Sequence, residues 1–233
     1  MLTRRNVILT GLAGVGLAAC AQPQNLSPQT RMPAPRSSYG YVNNDYTAEV
    51  IPPSGIQKRV AESGDTWESL FPGNVEVGQH LNRQNRGLAF GQAVLVPDGP
   101  ITMADINPFP VRRRLGSGHH VIFDHSKYAW ALYSDGELVR WGAAIGGSKT
   151  TRGTFTVTEK AGPDRVSNIY PLSTGGGAAM PYFMRITAGG IGLHAGQLRG
   201  QHESEGCIRM LLDDARWLNL DIARPHGLRV SVV

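Results

Sequence analysis

The amino-acid sequence predicts a mainly β protein with a few short helices, α+β overall. Short apolar segments separated by turn residues recur through the C-terminal half, and several alternate with a period of two. Glycine (29 residues) and proline (15 residues) are abundant in the 233-residue chain, which is typical of a turn-rich protein. This length is sufficient for one ordinary hydrophobic core and a small additional module.

The composition excludes several classes of protein. A chain with 41% hydrophobic and 18% charged residues is not disordered throughout, and two cysteines cannot build a disulfide-rich scaffold. No apolar run reaches the roughly 18 to 20 residues that a membrane-spanning helix needs. The formal charge is +5, but much of this excess lies at the start of the chain. We therefore expect no nucleic-acid partner.

Residues 1–19 have the organisation of a secretory signal peptide. Arg4 and Arg5 precede a short apolar stretch that ends in small residues before Cys20. The ending Leu-Ala-Ala-Cys resembles a bacterial lipobox, which implies that Cys20 is lipidated and anchors the chain to a membrane. The implied location is the periplasm-facing side of a Gram-negative cell envelope, and Ala21 favours the outer membrane. Sec and twin-arginine export both remain open.

Residues 20–57 are predicted to form a disordered tether. Pro, Gln, Ser, Asn and Thr are frequent and large aliphatic residues are few, so the segment cannot bury enough apolar surface to order itself. Such a tether would hold the folded part of the chain away from the membrane.

Residues 58–98 have the pattern of a small module with the order strand, helix, helix, strand. A Gly-Asp turn follows the first strand. Asp65 or Thr66 is suited to cap the first helix, and Glu68 has a capping-box-like spacing from Asp65. Residues 76–86 have the spacing of a second helix, and a turn and a closing strand complete the module.

Three segments of this module resemble the LysM domain, a small domain that binds N-acetylglucosamine polymers. They are residues 63–67, the group Leu81, Asn82 and Asn85, and residues 91–97. The resemblance implies a β-α-α-β fold with glycan as a partner, and the alternative is a structural spacer. The connector at 99–117 is expected to be extended because of its three prolines, with a solvated or wall-facing charge run at 112–114.

Residues 118–233 are predicted to form a mostly β domain. An Asp-Gly turn between two apolar segments is a strong hairpin signal. Asp213 and Asp214 favour the N-terminal turn of one helix. The predicted strands cover residues 120–124, 128–133, 138–141, 154–158 and 228–233.

Residues suited to catalysis concentrate in one C-terminal stretch. Cys207 follows Gly206, and His194 lies upstream, so the fold can bring a thiol and an imidazole together as nucleophile and base. His194 would either take the thiol proton or stabilise a thiolate as an imidazolium. Gly206 allows a sharp turn, and the amides around it suit an oxyanion hole. Ser204 would orient the loop, and Arg209 supplies a cation for a carboxylate.

This stretch resembles the catalytic domain of the L,D-transpeptidases (YkuD-type), whose signature is a His followed by Ser-x-Gly-Cys-x-Arg. The resemblance covers roughly residues 118–233 and implies a β-sandwich-like fold. Residues 151–155 resemble part of the family's Thr-Pro-x-Gly-x-Phe segment. The resemblance places a substrate cleft at Tyr182, Met184, Arg185, Ala195 and Gly196.

The resemblance implies a peptidoglycan L,D-transpeptidase. The Cys207 thiol would attack the carbonyl of the third residue of a tetrapeptide stem, release the terminal D-Ala and form a thioester. His194 would act as base or ion-pair partner, oriented by a backbone carbonyl. An amine of a second stem would then resolve the thioester into a 3→3 cross-link. No metal or organic cofactor is implied, the partners are peptidoglycan stem peptides and glycan, and we expect a monomer.

Glu205 stands where many family members carry His. A carboxylate beside the nucleophile would oppose thiolate formation if it pointed inward. Three alternatives stay open: a wall-binding lipoprotein with a silenced catalytic domain, an L,D-carboxypeptidase that hydrolyses the thioester, and a Cys207 that is only a buried residue. A zinc hydrolase is disfavoured, since Gly stands where a His-Glu-x-x-His motif needs its second His. Its ligands would be His194, His202, Glu203 and Cys207.

Overall fold

The structure is a computed structural model that describes residues 55–224 and 226–233. The predicted signal peptide at 1–19, the lipidation site at Cys20 and nearly all of the predicted tether lie outside the described residues. No helix within the described ranges is both long enough and apolar enough to cross a membrane.

The N-terminal module has the predicted order of strand, helix, helix and strand. Its two strands pair antiparallel, and the two helices pack against them around a small apolar core that contains Trp67, Phe71 and Val94. The elements are β1 (Ile56–Val60), α1 (Trp67–Leu70), α2 (Val75–Asn82) and β2 (Ala93–Pro97). Strand β1 therefore begins within the last two residues assigned to the tether.

The cap of helix α1 is Thr66, one of the two predicted candidates, but the capping box differs from the predicted one. Thr66 is the N-cap, and its hydroxyl accepts from the Ser69 amide at 3.0 Å while Ser69 Oγ accepts from the Thr66 amide at 2.9 Å. Ser69 therefore completes the capping box instead of Glu68. Asp65 is not the cap, because its carboxylate accepts from the Glu62 amide at 2.8 Å and stabilises the preceding turn.

The C-terminal domain is built on a nine-stranded mixed sheet, as expected for a mainly β fold. The strand order across the sheet is β6-β11-β3-β4-β5-β10-β9-β8-β7, with β11 parallel to β3 and β9 parallel to β10. The strands are β3 (His119–Asp124), β4 (Ala129–Ser134), β5 (Glu137–Ile145), β6 (Gly153–Thr156), β7 (Glu159–Lys160), β8 (Met184–Arg185), β9 (Gly192–Ala195), β10 (Ile208–Met210) and β11 (Arg229–Val232).

One face of the sheet packs against helix α3 (Leu212–Trp217), which continues as a π-helical turn (Leu218–Ile222). The main core joins side chains from most strands with Ala215 and Leu218 of this helical segment. Asp213 and Asp214 lie in the first turn of α3 as predicted, but Asp214 is also buried at 1% exposure. Its role therefore extends beyond the helix dipole, as its contacts below show.

The connector at 99–117 is not the extended spacer that its prolines suggested. Ile106 and Phe109 are buried in a second core with Trp141 and Tyr133 of the sheet. Trp141 Nε1 donates to the Met103 carbonyl at 2.9 Å. The connector therefore covers the second face of the sheet, because apolar side chains placed between its prolines find a partner there.

The module and the C-terminal domain share this second core. Val77 of α2 is buried in the same cluster as Ile106 and Trp141, and Leu81 packs against it. The His80 side chain is fully buried, and its Nδ1 accepts from the Ala143 amide at 2.9 Å. Helix α2 therefore packs directly on strand β5 and is not held at a distance from it.

Candidate active site

Strands β9 and β10 bring the predicted nucleophile and base to one face of the sheet. In their parallel register, Leu193 lies opposite Ile208 and His194 opposite Arg209. Leu193 and Ile208 point into the main core. Because side chains alternate along a strand, His194 and Arg209 point to the other face, as does Cys207 immediately before β10.

His194 is buried and oriented by the backbone. Its Nδ1 lies 2.7 Å from the Ala195 carbonyl oxygen, which can only accept, so Nδ1 carries a proton and Nε2 of the neutral ring is a free base. Burial lowers the pKa of His194 to about 4, and the Arg209 cation contributes to this shift while the bond to Ala195 opposes it. The ring is therefore neutral at pH 7.

Cys207 is a free thiol that is partly shielded from solvent. Burial raises the pKa of Cys207, while the Gly192 backbone and the cations of Arg209 and Arg185 oppose that shift. Its Sγ lies 3.9 Å from the Gly190 carbonyl. The resting pair is thus a neutral thiol and a neutral imidazole, which favours base catalysis over a preformed ion pair.

The turn before Cys207 is held by Ser204 and Thr150. Ser204 Oγ donates to the Cys207 carbonyl at 2.6 Å and accepts from the Gly206 amide at 3.1 Å. Thr150 Oγ1 donates to the Gly206 carbonyl at 2.8 Å. Gly206 has a φ of 143°, a conformation that disfavours residues with a Cβ.

These contacts correct part of the predicted oxyanion hole. The Gly206 amide is already bonded to Ser204 within the turn, so it is not a donor for substrate in this arrangement. The Cys207 amide remains the candidate donor. Thr150 was not singled out by sequence reasoning, since nothing in a lone Thr far along the chain signals contact with this turn.

Arg209 and Arg185 place positive charge at the site. Arg209 Nη1 lies 3.4 Å from Glu203 Oε1, and Arg185 Nε lies 2.7 Å from Glu159 Oε2. Arg185 pairs opposite Gly192 in the β8–β9 ladder, on the face that carries Cys207. Both cations are partly exposed and near the thiol, which suits them to attract a carboxylate of a substrate.

Residues 118–223 match the family model of the YkuD L,D-transpeptidase catalytic domain. The C-terminal domain is a YkuD domain.

A solved structure agrees with this fold. The chain resembles an L,D-transpeptidase from Xylanimonas cellulosilytica with 21% identity and a TM-score of 0.50, over 75% of this chain and 98% of that chain. An L,D-transpeptidase from Mycobacterium smegmatis has 22% identity and a TM-score of 0.44, over 76% of this chain and 82% of that chain. A comparison with curated protein sequences finds no match.

Glu205 of the YkuD domain is exposed and paired with a lysine. Its carboxylate is exposed and lies 2.9 Å from Lys149 Nζ, which also sits 5.9 Å from the centroid of the Tyr170 ring. The pairing with Glu205 raises the pKa of Lys149, so the cation persists at neutral pH. Lys149 thereby offsets the negative charge of Glu205, which lies close to Cys207 in the sequence. No local sequence motif indicates that Lys149 is its partner.

Two of the predicted cleft residues are wrong as cleft residues. Met184 is fully buried and Ala195 is 3% exposed, both in the main core. Strand alternation is the reason, since each neighbours a residue that faces the site. Of the others, Arg185 faces the site, Tyr182 packs half-buried at the edge of the main core, and Gly196 lies against the Arg209 side chain.

His202 is not arranged as a zinc ligand. Its Nδ1 accepts from the Gly146 amide at 2.9 Å, and its Nε2 lies 2.9 Å from the His125 carbonyl. Both ring nitrogens are therefore used in backbone contacts. This agrees with the expectation that the His-Glu pair at 202–203 does not form a zinc motif.

Proposed function

We propose that this protein is a peptidoglycan L,D-transpeptidase that uses Cys207 as nucleophile and His194 as general base. The observation that supports this most is the placement of both side chains on one face of paired strands inside a YkuD domain. The His194 ring has its Nδ1 proton held by the Ala195 carbonyl, so Nε2 is available for the thiol.

In the first step, the Cys207 thiol attacks the carbonyl of the third residue of a tetrapeptide stem. The thiol proton passes to His194 Nε2 as the C–S bond forms, since both groups are neutral before the attack. His194 then gives this proton to the departing amine of D-Ala, and the stem remains attached as a thioester.

The surrounding groups have separable tasks in this step. The Cys207 amide donates to the developing oxyanion. Arg185 and Arg209 provide positive potential for the terminal carboxylate of the stem, and Ser204 keeps the turn in place through its bond to the Cys207 carbonyl. In the second step, an amine of another stem attacks the thioester, His194 removes its proton, and a 3→3 cross-link forms.

Mass spectrometry of residues 21–233 incubated with a disaccharide-tetrapeptide tests this proposal. We expect loss of D-Ala together with a cross-linked dimer, and the Cys207→Ala variant should show neither. Cys207-dependent loss of D-Ala without a dimer would instead identify an L,D-carboxypeptidase. If the variant processes stems as well as the wild type, the nucleophile assignment is wrong.

We further propose that the chain is a lipoprotein anchored through Cys20 on the periplasm-facing side of a Gram-negative cell envelope, in the outer membrane. The support is the lipobox-like sequence that precedes Cys20. Metabolic labelling with a radioactive fatty acid should mark the wild type but not Cys20→Ser. Equal labelling of both proteins would refute the anchor.

We also propose that the LysM-like module contacts wall glycan. The support is the β-α-α-β order of its elements together with the three segments that resemble that domain. Cys207→Ala protein should sediment with purified sacculi, and free chitin oligosaccharide should release it. Sedimentation that the oligosaccharide leaves unchanged would dismiss the module as a glycan-binding element.

A further inference from the structure

The segment that follows helix α2 is joined to the loop that follows strand β9. Asn85 makes three hydrogen bonds with this loop: Nδ2 donates to the Gly196 carbonyl at 3.1 Å, Oδ1 accepts from the Leu198 amide at 2.9 Å, and the Asn85 amide donates to the Leu198 carbonyl at 3.2 Å. The Gly200 amide donates to the Arg83 carbonyl at 2.9 Å. Residues 83–85 thus pair with residues 196–200 much as an added strand would.

The loop at 196–206 connects the two reacting residues. It begins directly after strand β9, which carries His194, and ends at Cys207. Leu198 is fully buried and packs with Ala143 and Ile145 of strand β5. The loop is fixed at the buried residues Leu198 and Ser204, so a shift at its start affects the segment that ends at Cys207.

A series of contacts links the start of this loop to Cys207. Arg199 lies 3.1 Å from Glu203, whose carboxylate also contacts Arg209. The Ser204 amide donates to the Gly146 carbonyl at 3.1 Å, and Ser204 in turn bonds the carbonyl of Cys207. The loop is therefore anchored at several points between His194 and Cys207.

Residues 83–85, which contact the loop from the N-terminal module, are held in place by their neighbours. His80 is buried against Ala143, and Arg83 Nε donates to the Lys127 carbonyl at 3.1 Å while its guanidinium stacks 5.2 Å from the Trp141 ring centroid. Asn82 binds the backbone of Leu95, which ties α2 to strand β2 of the module. Residues 83–85 therefore have little freedom to follow the loop if it moves.

We infer that Asn85 is a positioning residue of the active site, through which the N-terminal module holds the loop that sets Cys207 against His194. This inference deepens the proposed function and rests on it. Asn85 is one of the residues that resemble a LysM motif, yet in this chain both the oxygen and the nitrogen of its side-chain amide bond to the YkuD domain. The N-terminal module then helps to position the active-site loop, in addition to any binding of cell-wall glycan.

The test compares Asn85→Ala and Asn85→Asp with a control inside the module. Asn85→Asp keeps the oxygen that accepts from Leu198 and loses the donor to Gly196, so it is a milder variant if Asn85→Ala does not fold. Thr66→Ala is the matched control, because it weakens the cap of helix α1 and makes no contact with the loop. All four proteins include residues 21–233, and circular dichroism verifies their folding.

The first measurement is the pH dependence of Cys207 alkylation by iodoacetamide, which needs no substrate. We expect Asn85→Ala to loosen the shielding of the thiol, to lower its apparent pKa and to raise alkylation at neutral pH at least about threefold. We expect Asn85→Asp to lie between wild type and Asn85→Ala, and Thr66→Ala to remain within twofold of wild type.

The second measurement is release of D-Ala from a disaccharide-tetrapeptide. We expect Asn85→Ala to lower kcat about tenfold or more with a smaller change in KM, because the defect is in alignment and not in substrate binding. Folded Asn85 variants that match wild type in both alkylation and kcat would overturn the inference. If wild type releases no D-Ala, the proposed function fails, and a normal alkylation profile in the Asn85 variants would then overturn the inference separately.

Discussion

His80 and His194 are both buried among polar groups, and only His194 lies in a cluster with the properties of a catalytic site. At the junction between module and YkuD domain, His80 lies 3.8 Å from Asp214 and 3.4 Å from Glu76. Arg140 lies 2.7 Å from Asp214 as well. At the active site, His194 and Cys207 have a cation nearby and no carboxylate acting directly on them.

The junction cluster has carboxylate and imidazole groups near enough to suggest a metal site. However, His80 Nδ1 accepts from a backbone amide, so Nε2 of the neutral ring carries a proton and points toward the carboxylates. A protonated nitrogen is not a ligand. The cluster is therefore a hydrogen-bonded ion network that joins α2, β5 and α3.

Burial of a titratable group does not by itself indicate catalysis. At the junction, direct contacts fix the state of each group: burial raises the pKa of Asp214, while the contacts with His80 and with the Arg140 cation act against that shift. At the active site, burial favours the neutral forms of the Cys207 thiol and the His194 ring, and His194 Nε2 is available to take a proton. A general base needs an unprotonated nitrogen that can accept a proton, and only His194 offers one at its site.

The largest expected effect separates the two clusters by activity. His194→Gln removes the base, and we expect Cys207-dependent D-Ala release to fall by about 10² to 10⁴-fold, the usual contribution of a general base. The melting temperature should change little, because the Gln side chain fills most of the same space. Steady-state kinetics and a thermal melt on the same preparation check this. A residual rate above one tenth of wild type would contradict the role of His194.

The second expected effect is on stability at the junction. Asp214→Ala leaves Arg140 without its buried partner, and the Trp130 indole loses an acceptor that now lies at 3.2 Å. Removing one member of a buried ion pair costs about 3–5 kcal/mol. Urea unfolding measures this loss. Asp214→Asn also loses the ion pair but retains an acceptor for Trp130, so it should lose less stability than Asp214→Ala. Equal losses for both variants would show that the Trp130 hydrogen bond contributes nothing, and a loss under about 1 kcal/mol in both would contradict the role of the ion pair.

The pH dependence of activity should reflect the burial of His194. The pKa of His194 is lowered to about 4, and only the neutral ring can take the thiol proton. Activity should therefore be present above pH about 4 and be lost as the pH falls through that value. Arg209→Gln removes a cation that lowers this pKa, so its acid limb should move to higher pH. Rates of D-Ala release measured across mildly acidic pH test this. An acid limb with a midpoint near the ordinary His pKa of about 6.5 in the wild type would contradict the lowering of the His194 pKa by burial.

The smallest expected effect concerns the exposed pair beside the nucleophile. Lys149→Ala leaves the Glu205 charge without its partner, and alkylation of Cys207 at neutral pH should slow by at most about fivefold, as fits an exposed ion pair. The double variant Lys149→Ala, Glu205→Gln should return to the wild-type rate. A double variant as slow as the single one would mean that Lys149 acts on the thiol directly.

Local patterns predicted the elements well where neighbours in the chain decide the structure. The hairpin of β4 and β5 was indicated by its Asp-Gly turn, and the two-helix module by periodicity and turn residues. The predictions failed where two nearby side chains competed for the same role and where contacts between distant residues decided the structure. Ser69 displaced Glu68 in the capping box, since both hydroxyl groups reach the amides directly. The proline-containing connector became part of a core because the sheet face offered it apolar contacts.

The candidate site divides in the same way. A pattern of residue types is enough to single out Cys207 and His194, together with a turn that needs Gly206. Which side of a short strand faces the cleft was not predictable, so Met184 and Ala195 were misplaced. A two-residue strand has no periodicity of its own, and only its pairing register fixes its faces.

The sequence by itself determined the chemistry available to this protein: a thiol, an imidazole, a sharp glycine turn and a mainly β chain to carry them. The tertiary structure alone decided the protonation states of the pair, the Lys149 partner of Glu205 and the contact of Asn85 with the loop at 196–200. The physical reason is that desolvation and contacts between distant residues depend on register and packing. These arise only when the whole chain has folded.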